Sequence, residues 1–212
     1  MRAILSHRAL LVAAAAAITA ATMQHEAQAA KPADPAAQVQ TLNAALIASM
    51  KAGKSEAFAT RMAQLQPALD QVLDLPAILQ ASVGLSWSTL TPQQQSALLD
   101  TFRRYTEANY AANFDSYDNQ TFQVSPNYRV LSPDRVIVST TLVNPNGNQH
   151  RIDYVMHRTA DGAWKATDVL ADGTISRVAV QRSDFSAVLS RGGIAGLQSR
   201  LAGVTASLGP LA

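Results

Sequence analysis

Two periods of apolar residues divide the chain. From residue 36 to residue 114 they recur every three or four positions, as one face of an α-helix requires. Val39, Leu42, Leu46 and Met50 form a first stripe, over 36–52, that ends near Gly53. Ser55 is placed to cap a second helix through Phe58, Met62 and Leu65, which Pro67 interrupts or restarts. Leu69, Val72 and Leu73 extend its apolar face, and Pro76 opens a short helix, Ala77 to Val83, closed by Gly84. Thr91-Pro92-x-Gln94 is a strong start signal, because Thr91 can accept orphan amides, Pro92 suits the first helical position and Gln94 completes a capping box. That helix is expected to reach about Phe114, with Leu98, Phe102, Tyr105 and Ala112 inward and Arg103, Arg104 and Glu107 on a polar face.

The period then changes to two, predicting strands at 121–130, 134–143, 149–158 and 163–170. Asn146-Gly147 and Ala160-Asp161-Gly162 mark reverse turns, and such short links imply an antiparallel meander. Ile152, Tyr154 and Met156 share one face of the third strand, opposite Arg151, Asp153 and His157. In the fourth, Trp164, Ala166 and Asp168 alternate with Lys165, Thr167 and Val169. Asp172-Gly173 turns the chain into a helix from Ile175 to about Ser190, with Ile175, Val178, Phe185 and Leu189 on one stripe that also carries Arg182. Gly192-Gly193 separates it from a last helix, Ile194 to Ser207. So tight a joint brings Asp168 and Arg182 to one seam, a candidate structural or head-group pair. Helices, a sheet, then helices again make an α+β fold.

Composition narrows the setting. Residues 1–29 read as a secretory signal peptide: Arg2 and Arg8, the apolar run Ala9–Ala21, and a small-x-small site at Ala27-Gln28-Ala29. The apolar run is too short to span a bilayer. Cleavage would leave residues 30–212 as one domain, beginning at Ala30, and place it in a periplasm. Without that segment the chain keeps 15 basic and 14 acidic residues, giving no reason to expect nucleic acid as a partner. The absence of cysteine excludes disulfides, thiol catalysis and zinc–thiolate sites.

Candidate chemistry is sparse. His150 and His157, seven apart on one predicted strand, point to opposite faces and cannot jointly hold a metal. Gly84-Leu-Ser86-Trp-Ser misses the nucleophile-elbow pattern, and Gly192-Gly-Ile-Ala-Gly196 follows a predicted helix with the wrong spacing for a phosphate loop. Asp153 is expected to be solvated and Asp172 to cap a helix. Asp168 has three readings: structural pairing with Arg182, contact with a ligand head group, or catalysis. No metal or cofactor is expected.

One run ties these features together. Trp164-Lys165-x-x-Asp168-Val169, Asp172-Gly173-x-Ile175-Ser176, Arg182-x-x-Phe185 and Gly192 follow Gly84-x-x-Trp87, Phe102 and Tyr110-Ala-Ala-Asn-Phe114 in a fixed order. Together, over roughly residues 40–208, they resemble the MlaC/toluene-tolerance family of periplasmic lipid-binding proteins. Asp172-Gly-Thr-Ile-Ser176 with Arg182-Ser-Asp-Phe185 is most similar to its HpnM branch, associated with hopanoid biosynthesis. The resemblance implies a curved antiparallel sheet of four or slightly more strands, packed with N- and C-terminal helices around an apolar cavity. It implies a non-enzymatic carrier, a likeness to monomeric proteins that shuttle a hopanoid or phospholipid between membrane-bound transporter components. Trp87, Phe102, Tyr110, Tyr154, Trp164 and Phe185 become the lipid-binding candidates. Two rival readings stand beside it: an enzyme or accessory factor of lipid synthesis, and a cavity-free adaptor.

Overall fold

The computed structural model describes residues 34–211; the expected signal segment lies outside them. Helix α1, Pro35–Ala52, is capped by Asp34, whose Oδ1 accepts from the Ala36 amide at 3.0 Å. Its stripe Val39, Leu42 and Leu46 is fully buried. Helix α2, Phe58–Val72, starts without a side-chain cap. Ser55 instead lies in the 3-10 turn Gly53–Ser55, donating its hydroxyl to the Ala52 carbonyl. Pro67 does not break α2. Pro67 and Ala63, whose carbonyl loses its helical donor, are both exposed, so water can replace the missing bond.

Helix α3, Leu75–Val83, is fixed to the sheet through its cap. Asp74 Oδ1 accepts from Ala77 N at 3.0 Å, Asp74 Oδ2 lies 2.7 Å from His157 Nε2, and the Asp74 amide donates to the Ala166 carbonyl at 2.9 Å. A second 3-10 segment, Gly84–Thr89, leads into α4, Pro92–Asn113, where the predicted capping box is complete. Thr91 Oγ1 accepts from Gln94 N at 3.3 Å and Gln94 Oε1 from Thr91 N at 2.9 Å. Thr91→Ala is expected to cost about 1 kcal/mol. In a domain of this size that lowers Tm by roughly 2–4 °C, readable by thermal unfolding.

Six strands form one antiparallel sheet: β1 Thr121–Val124, β2 Arg129–Ser132, β3 Arg135–Val143, β4 Gln149–Arg158, β5 Trp164–Ala171 and β6 Ile175–Ser176. The order is β1-β3-β4-β5-β6, with β2 also on β3. The strand expected at 121–130 is thus two, both on the same edge of β3. Pro126, which cannot donate to a ladder, and the Ser125 hydroxyl, bonded to the Asn127 carbonyl, bend the chain between them. Val136, Val138, Tyr154, Met156, Trp164 and Ala166 form the buried face.

Beyond Ala166 the alternation fails. Met156 pairs with Ala166 but Val155 with Asp168, so Thr167 is an extra residue in a β-bulge. Val169 then faces Tyr154 across the ladder, reversing the expected faces of Asp168 and Val169. Asp153 is another correction, being 2% exposed instead of solvated. Arg151 folds over it, with Nε and Nη2 donating to the two carboxylate oxygens at 2.9 and 2.8 Å. The β5–β6 turn lies against that arginine, and a Cβ at Gly173 (φ +72°) would stand 3.0 Å from Arg151 Nε.

Ile175 belongs to β6 and not to the last helix, and is exposed. Helix α5 runs from Arg177 to Leu208, capped by Ser176 in place of Asp172. It is kinked at Gly193, whose φ of 57° and ψ of −157° are non-helical, so the two expected helices follow one another with no intervening loop.

Candidate functional site: a cavity between helices and sheet

The bulge, α3 and the start of α5 surround a cavity of about 340 Å³. Leu73, Leu75 and Ile78 close one side, and Ile152, Tyr154, Val169 and Ala171 form the sheet wall. Helix α4 contributes Phe102, Tyr105, Thr106, Asn109, Tyr110 and Asn113, its C-cap Phe114 follows, and α5 contributes Arg177, Val178 and Gln181. Most of this lining is hydrocarbon or aromatic. Asn109, Asn113, Asp168, Arg177 and Gln181 are its polar members, with the Thr106 hydroxyl and the phenols of Tyr105, Tyr110 and Tyr154.

Burial pushes the Tyr110 phenol up to about 12, opposed by the nearby Arg177 guanidinium. Burial likewise raises Tyr154 well above the ordinary phenol range, and Tyr110 adds to the effect. Both hydroxyls therefore stay neutral around pH 7. They can donate or accept hydrogen bonds, but they are poor bases. An amphiphile suits such a space, with apolar mass against the aromatic walls and a polar end near Arg177.

Three of the six lipid-binding candidates, Phe102, Tyr110 and Tyr154, line the cavity. Phe185 stands behind Phe102, edge to face at a centroid distance of 6.3 Å, and so braces the wall. Trp164 is buried at the far end of β5, with the Arg158 guanidinium 5.9 Å from its ring centroid. Trp87 is half-buried in the second 3-10 segment, where its carbonyl accepts from Gln95. Neither tryptophan reaches the cavity.

Asp168 and Arg182 do not pair. The Ser176 hydroxyl donates to Asp168 Oδ2 at 2.5 Å, and the Val169 and Val178 amides donate to Oδ1 at 2.8 and 3.1 Å. The carboxylate thus satisfies the start of α5 and holds Arg177 and Val178 at the cavity. Arg182 packs instead over Gly84, where an added Cβ would lie 3.3 Å from its Nε.

Sequence reasoning overlooked Asn109, Asn113, Arg177 and Gln181. A signal existed for the asparagines. Phe102, Thr106, Asn109 and Asn113 fall at i, i+4, i+7 and i+11, so a polar stripe continues the aromatic one along α4. Arg177 and Gln181 depended on where the last helix begins, which was misplaced by two residues.

A second, open groove of about 750 Å³ lies between α2, α4 and the end of α5. It is lined by Asp100, Arg103, Arg104 and Glu107, and burial raises the Glu107 pKa against the pull of Arg103 and Arg104. Among the described residues no helix is long and apolar enough to cross a membrane, and no three metal-binding side chains cluster.

The family model described as MlaC protein matches residues 40–203. Among solved structures, the phospholipid-binding protein from Ralstonia solanacearum, in complex with a phospholipid, is similar with a TM-score of 0.68 and 27% identity. That likeness covers 83% of this chain and 99% of the other. The order of elements, the sheet and the family match agree, and the chain belongs to the MlaC family.

Proposed function

We propose that this protein is a periplasmic carrier that holds one amphipathic lipid in the cavity between α3, α4, the sheet and α5, and passes it between membrane-bound partners. The observation that carries this reading is the cavity itself, apolar along its walls and polar where Arg177 enters. Support comes from the Ralstonia solanacearum protein, whose structure contains a phospholipid.

The mechanism is sequestration. At roughly 0.8 kcal/mol per methylene removed from water, two acyl chains gain on the order of 20 kcal/mol. A bilayer offers the chains a similar environment, so carrier and membrane can be nearly balanced. Escape into water is slow, and release requires a membrane partner that opens the walls. The cavity is at the small end of the ~300–1,000 Å³ usual for ligand pockets. A two-chain lipid therefore needs the helices to part, or one chain to lie along the opening.

Phospholipid is the ligand this geometry favours, because Arg177 supplies a guanidinium suited to a phosphate oxygen. A hopanoid is the second reading, resting on Asp172-Gly-Thr-Ile-Ser176 and the HpnM likeness of that stretch. An enzyme is disfavoured, since the Tyr110 and Tyr154 phenols are kept neutral and Asp168 is committed to the α5 start. The carrier is taken to act as a monomer.

Gently purified protein from a hopanoid-producing host should yield, on organic extraction and mass spectrometry, up to about one lipid per chain, mostly phospholipid. Predominance of a hopanoid would overturn the ligand assignment but not the carrier. Lipid-free protein that also fails to take up lipid from vesicles would sink the carrier reading.

A further inference from the structure

At the end of the sheet opposite the cavity, β2 presents an edge with no strand beyond it among the described residues. It pairs with β3 through Arg129↔Ile137, Val130↔Val136 and Ser132↔Arg135. Its other side leaves backbone N–H and C=O groups turned outward. The side chains there are unusual for a free edge: Val130 is 64% exposed, Leu131 47% and Tyr128 40%. They flank Arg129 in sequence, Tyr128 before it and Val130-Leu131 after it, at a four-residue strand bulged between Val130 and Ser132.

Arg129 and Arg135 are exposed beside this segment, and neither has a carboxylate within ion-pair distance among the described residues. The one acid in the hairpin, Asp134, accepts the Ser132 hydroxyl at 2.6 Å. Strand β3 separates β2 from the cavity wall, which β4 and β5 build from Ile152, Tyr154, Asp168, Val169 and Ala171. A partner on β2 would therefore contact none of the strands that line the cavity.

We propose that β2 is a docking edge for a partner protein, which adds an extended segment as a further strand. That segment would carry apolar side chains against Val130 and Leu131, and acidic ones against Arg129 and Arg135. Backbone complementarity favours a peptide over a bilayer, since lipid cannot pair the open N–H and C=O groups. Charge disfavours a second copy of this chain, because its own hairpin carries two arginines, Arg129 and Arg135, against a single acid, Asp134.

The probes are a peptide of alternating valine and glutamate and its valine–lysine counterpart, titrated against full-length processed protein. The acidic peptide should bind and slow amide exchange across 128–132, and the basic one should bind at least about tenfold more weakly. Arg129→Glu should reverse that preference, and Val130→Lys should abolish binding while leaving the lipid content unchanged. Equal affinity for both peptides, binding to neither, or binding that survives Val130→Lys would overturn the proposal. So would protection of 128–132 by dimerisation or by anionic phosphatidylglycerol vesicles alone. Lipid content is read separately, so failure here leaves the carrier reading standing, and failure of the carrier leaves the edge testable.

Discussion

Replacing Asp168 by alanine will lower the unfolding free energy by about 2–3 kcal/mol, because it strips an ionised acceptor from one hydroxyl and two backbone amides. The figure stays below the sum of three charged hydrogen bonds because the site is only partly buried and water can reach part of it. The damage is directional. Val178 N–H is one of the first amides of α5, with no partner inside the helix, so its loss frays the turn that carries Arg177 to the cavity. Asp168→Asn keeps an acceptor and should retain about half of the stability. Arg182→Met tests the alternative geometry. If the seam were a salt bridge, the two changes would be coupled and the double variant would recover part of the loss. Since Arg182 rests on Gly84 and Asp168 on Ser176 and Val178, the losses should add within about 0.5 kcal/mol. Denaturant unfolding of the four proteins gives the cycle. A coupling above about 1 kcal/mol would restore the ion pair.

That correction marks where the residue pattern stops being informative. Apolar spacing located α1, α4, β3, β4 and β5 to within a residue or two, because each carries a periodic apolar stripe and Thr91 and Gln94 announce their helix. It failed at features decided by two strands together. Thr167 is extra only relative to its neighbour β4, and nothing in Trp164–Ala171 taken alone shows the surplus. Asp153 falls on the face expected to be polar, yet Arg151 and the turn beyond Ala171 fold over it. Ile175 and Val178 stand three apart, as helix positions do, while two residues of β6 intervene before the helix begins. The cavity was legible only by resemblance. Of six aromatic candidates three line it, because aromatic residues fill core and cavity alike and only tertiary packing separates Tyr154 from Trp164.

Val169→Trp should empty the cavity of lipid while leaving the fold intact. Val169 is half-buried, lines the sheet wall and pairs with Tyr154, so an indole at this position would project into open volume. Overpacking a filled core costs about 1–3 kcal/mol, but here the added atoms occupy space that a ligand would otherwise take. Lipid-free Val169→Trp should therefore match the parent within about 1 kcal/mol. Its lipid content should fall from near one per chain to under about a tenth, which a loss of roughly 1.4 kcal/mol or more in binding can produce at limiting lipid. A second readout separates lost binding from lost folding. Ligand that binds only the native state adds RT ln(1 + [L]/Kd), about 2.7 kcal/mol at a hundredfold excess over Kd, so delipidated parent should gain several degrees in Tm when lipid is restored. The variant should gain almost nothing. Ala187→Trp, at an exposed position on α5 away from the cavity lining, serves as the control and should load normally. Parental lipid content in a well-folded Val169→Trp protein would place the ligand elsewhere, with the groove between α2, α4 and the end of α5 as the next site to block.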